Sequence, residues 1–156
     1  DLLGEIYEEL IPAKERKELG QFYTPPKIAQ TISEWSIQRN EKDHPRVLDP
    51  ACGSGTFCVE AYNRVEDILP TSRHQNIIDH IVAVDINRFP LHLTALNLAS
   101  QNISERTDRL HLFHDSFFNI DPETRFLETS RIDDEDQEVL GTFDAVIGNP
   151  PIYRSA

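Results

Sequence analysis

The 156-residue chain contains no methionine, one tryptophan, two cysteines and six glycines. Each shortage excludes something. Cys52 and Cys58 are the only thiols, which rules out a disulfide scaffold and points to a reduced, cytosolic setting. No apolar run approaches the roughly 20 residues a membrane span needs, and no signal peptide is visible, so no membrane partner is expected. Basic side chains are scarce: 15 Lys and Arg face 27 Asp and Glu, a formal charge of −12. An acidic chain repels phosphate, so these residues alone should not grip nucleic acid tightly. The histidines show no ligand spacing: in a strand, His111 and His114 face opposite sides and are not a metal pair. The start at Asp1, the lack of Met and the end soon after Asn149-Pro150-Pro151 point to a piece of something longer.

What is present has the length of about one domain, enough for a real core. Leu2, Leu3, Ile6, Leu10 and Ile11 recur at helical spacing until Pro12 interrupts them. Gly20-Gln21-Phe22-Tyr23-Thr24-Pro25-Pro26 then reads as a turn into a helix. Thr24 suits the N-cap and Pro25 the first helical position. That helix is expected to bury Ile28, Ile32 and Trp35 and to end near Asn40. A Gly-containing linker before a capped helix would leave two aromatics and an amide in the turn unexplained.

Polar residues from Glu41 to Pro45 mark a boundary. Arg46 to Asp49 reads as a short buried strand, running straight into Pro50-Ala51-Cys52-Gly53-Ser54-Gly55-Thr56. Phe57 to Asp67 continues as a helix with Phe57, Ala61 and Val65 inward. Strand, Gly-rich turn and helix open a nucleotide-binding βαβ unit. Glycines let backbone approach a ligand, and the helix start offers N–H groups. A dinucleotide fingerprint would want a third Gly where Cys58 stands, so the turn suits a ligand with a carboxylate and no pyrophosphate.

Leu69 to Asp79 reads as a polar connector, and His80 to Asp85 as a second parallel strand. Asp85 is placed either to accept hydrogen bonds from ribose hydroxyls or to cap the next helix. That helix, Arg88 to Ser100, should bury Leu91, Ala95, Leu98 and Ala99. Arg109 to Asp115 is a third strand ending in a carboxylate, and Asn119 to Gly141 a long acidic surface loop. The last strand, within Thr142 to Asn149, should bury Phe143, Ala145, Val146 and Ile147. Pro150 cannot donate to a ladder, so the strand stops at Asn149. Right-handed crossovers give a mostly parallel sheet of order 3-2-1-4. The switch point falls between strands 1 and 4, bringing the Gly turn and Asn149 side by side, with Asp85 and Asp115 on the same edge.

In this order, Leu19 to Pro25, Asp49-Pro50-Ala51-Cys52-Gly53-Ser54-Gly55, Val84-Asp85 and Asn149-Pro150-Pro151 resemble the motifs of DNA adenine-N6 methyltransferases. The order is that of the gamma class, which includes type I modification subunits and fused type II restriction–modification enzymes. The resemblance implies an α/β, Rossmann-like class I methyltransferase fold, here partial, with flanking helices and an N-terminal helical segment. Residues 1–44 would carry the Gln-Phe-Tyr-Thr-Pro motif, and 45–156 an incomplete S-adenosylmethionine-binding domain. Cofactor contacts are implied for Gln21, Phe22, Tyr23, Thr24, Asp49, Ala51, Gly53, Ser54, Gly55, Asp85, Ile86, Asp115 and Ser116. Asp85 would take the ribose hydroxyls and Asp115 the adenine amino group. Asn149, Pro150, Pro151 and Tyr153 are implied as the catalytic group that holds a flipped-out base.

One departure stands out. The family's usual aromatic after Asn-Pro-Pro is here Ile152, and Tyr153 follows. Either Tyr153 takes over stacking, worth about 1–3 kcal/mol per base, or the base is held weakly. The resemblance implies double-stranded DNA as partner, reached through a recognition domain or specificity subunit outside this chain, in a prokaryotic cytoplasm. Two other readings stand beside it: methyl transfer to a protein glutamine, and a non-catalytic module that retains a cofactor pocket.

Overall fold

The structure is a computed structural model, describing residues 24–39, 45–121, 123 and 141–151. The expected helix at Leu2–Ile11 and most of the acidic loop lie outside the described residues. Helix α1 spans Pro26–Ser36, β1 Val47–Asp49, α2 Thr56–Ile68, α3 His74–Ile78, β2 Ile81–Asp85, α4 Arg88–Ala99, β3 His111–His114 and β4 Ala145–Val146. All pairings are parallel, and the strand order is β3-β2-β1-β4, as the crossover rule requires.

The strands alternate between two buried faces. Val47, Ile81, Ala83, Ala145 and Ile147 join the helices, packing with Phe57, Ala61, Tyr62 and Val65 of α2 and Leu91 and Leu98 of α4. Leu48, Val82, Val84 and Phe113 form the opposite cluster, against which Ile120 and Phe143 pack. Near-continuous apolar strands are what a sheet covered on both faces demands.

Several sequence expectations are corrected. Thr24 does not cap α1: Pro25 holds that position and Pro26 begins the helix, without any side-chain cap. The helix ends at Ser36, not near Asn40, and its buried positions are Ala29 and Ser33, with Ile37 just beyond. Ile28 and Trp35 are exposed, and Ile32 only partly buried. Small residues let α1 approach α2, and large ones would hold it off. The connector after Leu69 contains α3, whose His74 is buried between the Tyr62 hydroxyl at 2.8 Å and the Thr107 hydroxyl at 3.0 Å. In α4 the buried set includes Leu93, Thr94 and Asn97, whereas Ala95 and Ala99 are half-buried. Strand β4 is only two residues long, although the Ile147 N–H still donates to Leu48 O at 2.9 Å. Val146 is 60% exposed and Phe143 half-buried, so burial alternates along this strand, outermost among the described residues, in place of the continuous burial anticipated.

His111 is buried and His114 exposed, as opposite facing requires. His111 lies 3.4 Å from Asp79, which Arg109 also engages through two N–H groups at 3.0 Å. Burial alone would raise the Asp79 pKa. The hydrogen bonds from His111, Arg109 and Gln75 outweigh it and hold the carboxyl well below the usual range. This cluster pins β3 to the end of α3, opposite the carboxyl edge.

Candidate active site at the carboxyl edge of the sheet

Chain direction puts the ends of all four strands on one edge. The Gly turn follows β1 there. Its backbone is left-handed at Gly53 (φ +54°) and Gly55 (φ +95°), which only glycine adopts cheaply. The two glycines serve different ends. A Cβ at Gly55 would lie 2.8 Å from the Thr94 hydroxyl and 3.0 Å from the Thr94 Cα, so this glycine lets α4 pack on the turn. A Cβ at Gly53 would meet nothing within 4 Å, so its outer side is open.

Side chains from three directions fix the turn. The Gly53 N–H donates to Asp85 Oδ2 at 2.9 Å, tying the turn to the end of β2. The Thr94 hydroxyl donates to Gly53 O at 2.9 Å, and the Asn97 amide to Ser54 O at 2.8 Å. The Ala51 N–H donates to Asp49 Oδ1 at 3.1 Å. Sequence reasoning missed Thr94 and Asn97. Their signal was two polar residues three apart inside an apolar helix, one turn of α4 facing inward.

Asp85 does not cap α4, whose cap position is Asn87. Its second oxygen instead accepts the Asn87 N–H at 2.7 Å. Both oxygens therefore hold backbone, and each keeps a lone pair for another donor. Ile86 beside it is 63% exposed.

Asp49 is buried, and burial lifts its pKa from 3.8 to about 7. The Ala51 N–H opposes that rise, and the charge of Asp85 adds to it. Cys58 lies 3.9 Å from the other Asp49 oxygen. A hydrogen bond with Cys52, then burial, raises the Cys58 thiol well above its ordinary range, so it stays protonated. Asp49 also lies against the segment that follows β4: a Cβ at Gly148 would lie 2.7 Å from Asp49 Oδ1 and 3.3 Å from the Pro50 ring. Gly148 is thus a third position that sequence reasoning missed, after Thr94 and Asn97. Its lack of a side chain lets the end of β4 close onto the end of β1.

Asn149 follows immediately, exposed, as are Pro150 and Pro151. Its Nδ2 donates to the Thr24 hydroxyl at 3.2 Å, joining residues 125 apart in sequence. Direct contacts at this edge join Thr24 to Asn149, Asp49 to Ala51 and Gly53 to Asp85, while Ser54 and Gly55 lie against Asn97 and Thr94 of α4 and Gly148, next to Asn149, lies against Asp49. Asp115 and Ser116 follow β3, two strands from β1, and are not part of these contacts. Asp115 is exposed, and its carboxylate accepts from Asn119 Nδ2 at 2.9 Å and the Ser116 N–H at 2.6 Å, which lower its pKa. Gln21, Phe22, Tyr23 and Tyr153 lie outside the described residues. Among those described, no group of His, Cys, Asp and Glu could hold a metal ion, and no helix is long and apolar enough to cross a membrane.

A parallel sheet of order 3-2-1-4 with a Gly turn, a strand-end carboxylate and a strand-end Asn-Pro-Pro is a partial Rossmann-like fold with an amide at its switch point. Compared with known proteins, residues 1–155 match the N-6 DNA Methylase family, and the chain belongs to it. The type I restriction enzyme EcoEI methylase subunit of Escherichia coli is 25% identical over 154 residues, 96% of this chain and 27% of that protein. The type I restriction enzyme MjaVIII methylase subunit of Methanocaldococcus jannaschii is 28% identical over 155 residues, 97% and 23% of the two chains. The type II methyltransferase M.VspI of Vibrio sp. is 33% identical over 104 residues, 67% and 24% of the two. The chain therefore spans about a quarter of the length of these curated relatives.

Proposed function

We propose that this chain forms the cofactor-binding part of a methyltransferase that modifies the N6 amino group of adenine in DNA within a restriction–modification system. The observation that carries the reading is the meeting of Asn149 with the Gly turn's strand, through Gly148 against Asp49. It sets an amide acceptor beside an open glycine turn. S-adenosylmethionine fits what is present: Gly53 leaves room for close approach, and Asp85 offers lone pairs at the strand end. Asp85 and the Gly turn would hold this cofactor, with Thr24 and Asp49 nearby. When bound, it supplies a methyl on a sulfonium, already an excellent leaving group.

The protein's task is then positioning. An exocyclic adenine amine is a poor nucleophile because its lone pair is delocalised into the ring. The Asn149 Oδ1 and the Pro150 carbonyl are two acceptors on adjacent residues. Together they take both N–H bonds, draw the nitrogen toward tetrahedral geometry and localise the lone pair. Pro150 and Pro151 stiffen the backbone that presents them. The base reaches such an edge only out of the duplex. With a net charge of −12, duplex binding falls to parts of the relatives' length that this chain does not span.

The test is incubation of the intact protein with labelled S-adenosylmethionine and unmethylated genomic DNA, followed by nucleoside analysis. N6-methyladenine is expected. Label found on protein glutamine, or on no acceptor while the cofactor is bound, would overturn the reading.

A further inference from the structure

We propose that His114 is a positioning residue for the cofactor: its imidazole ties the end of β3 to the loop between Asp85 and α4, and so sets where the Asp85 carboxylate stands. The inference rests on the reading above, in which Asp85 meets S-adenosylmethionine. His114 is the last residue of β3 and pairs with Asp85 in the sheet register, so both stand on the carboxyl edge. Its Nδ1 accepts from Arg88 Nε at 3.3 Å, and its Nε2 lies 3.1 Å from Ile86 O.

Neither contact can run the other way. A guanidinium only donates, so Nδ1 is the bare nitrogen. A carbonyl only accepts, so Nε2 carries the ring's hydrogen. The two partners independently demand the same neutral tautomer. The other tautomer would set N–H against N–H at Arg88 and lone pair against lone pair at Ile86. The partners stand on either side of Asn87, whose N–H donates to Asp85 Oδ1 at 2.7 Å. Three successive residues of the loop are thus anchored, two by His114 and one by Asp85 itself. Ile86, Asn87 and Arg88 are all exposed and gain little from packing, so these hydrogen bonds do the fixing. With the clamp released, Asn87 moves with its neighbours and its hold on Asp85 Oδ1 loosens.

The test is calorimetric titration of S-adenosylmethionine into the intact protein. His114→Phe keeps an aromatic ring and removes both hydrogen bonds, and affinity should fall about fivefold. Arg88→Met removes one of them and should cost about threefold. The double variant should lose no more than His114→Phe alone, because both changes break the same clamp. The single-turnover rate of methyl transfer at saturating cofactor should stay within about twofold of wild type, since the clamp acts on binding. Losses that multiply in the double variant would overturn the proposal. A second measurement needs neither cofactor nor turnover. Nitrogen-15 NMR of the imidazole at about pH 8, where histidines are neutral, should show Nε2 protonated and Nδ1 bare. The opposite tautomer would reject the clamp whatever the enzyme's activity. A wild type that takes up no S-adenosylmethionine would sink the functional reading and this proposal with it, whereas a wild type that binds it while His114→Phe binds equally well would sink this proposal alone.

Discussion

Two segments meet at one edge of this sheet, and they are held in opposite ways. The turn from Pro50 to Gly55 is secured by Asp85, Thr94, Asn97 and Asp49, and Gly55 is buried beneath α4. The segment from Asn149 to Pro151 is exposed, follows a two-residue strand and is tied to Thr24 through an amide. The first segment is part of the core and the second stands on it. Under the proposed function this division is useful, because a cofactor gains from a preformed cradle and a swung-out base needs access. Substitutions in the two segments should therefore separate stability from turnover.

The largest effect is expected at Asn149. Asn149→Ala in the intact protein should lower methyl transfer by about a thousandfold, the scale of losing a donor or acceptor that strengthens in the transition state. Cofactor affinity and melting temperature should stay near wild type. Asn149→Asp keeps an acceptor of similar shape and should retain partial activity, above that of Asn149→Ala. Melting temperature and single-turnover rate measured on the same samples decide the matter. A stable Asn149→Ala protein with a wild-type rate would remove Asn149 from the chemistry.

The glycines provide the converse. Gly55→Ala drives a Cβ into Thr94 at 2.8 Å on a backbone with φ +95°. Strain and overpacking together should cost about 3 kcal/mol of stability. Gly53→Ala meets no neighbour and should cost about 1 kcal/mol, for the left-handed backbone alone. Its cofactor affinity should fall nonetheless, since the new methyl enters the open side of the turn. Urea denaturation paired with calorimetric titration of S-adenosylmethionine separates the two. Equal stability losses would mean that the packing of α4 on the turn is not tight.

Asp85 lies between these extremes. Asp85→Ala removes the acceptor of the Gly53 and Asn87 N–H groups. Cofactor binding should weaken by about 1–3 kcal/mol, through the direct loss and through the loosened turn. Calorimetry giving equal affinity for wild type and variant would take Asp85 out of the site.

Much of this was legible in the sequence, for physical reasons. Strand β1, its Gly turn and α2 could be read because apolar runs, punctuating glycines and helical periodicity coincide there. The order 3-2-1-4 followed from right-handed crossovers between successive strands for the first three and from placing the fourth on the other side of the first. The inward face of α1 is not legible from side-chain size, because the large residues Ile28 and Trp35 stay exposed. Close helix packing selected Ala29 and Ser33 and left Trp35 outside. Helix α3 is only five residues long and polar at its start, so it has no periodicity to read; contacts of His74 with Tyr62 and Thr107 hold it. The roles of Thr94, Asn97 and Gly148 were illegible because each depends on what another element brings near. The same holds for Thr24, which local rules assign to a helix cap and the tertiary structure gives to Asn149.

A pH-dependent effect concerns Asp49, which accepts from the Ala51 N–H of the first segment and lies against Gly148, the residue before the second. Its pKa near 7 has burial as the first cause, so the fold favours the protonated form. The sign follows from comparing proton uptake in the two states. Below about pH 4, Asp49 is protonated in both, and pH has no effect through it. Between about pH 4 and 7 the unfolded chain has released this proton and the folded chain has kept it. Stability then declines as pH rises, by up to about 1.4 kcal/mol per unit. Above about pH 7 both states are ionised and the loss is complete. Asn in place of Asp cannot ionise, and its oxygen can still accept the Ala51 N–H. Asp49→Asn should thus gain on wild type steadily from pH 5 to pH 7 and no further by pH 8. Urea midpoints for both proteins across that range provide the measurement. The difference between them cancels the effect of the chain's overall negative charge. A difference that stays flat across that range would mean that Asp49 ionises as an ordinary carboxylate and that the contact with Gly148 admits water.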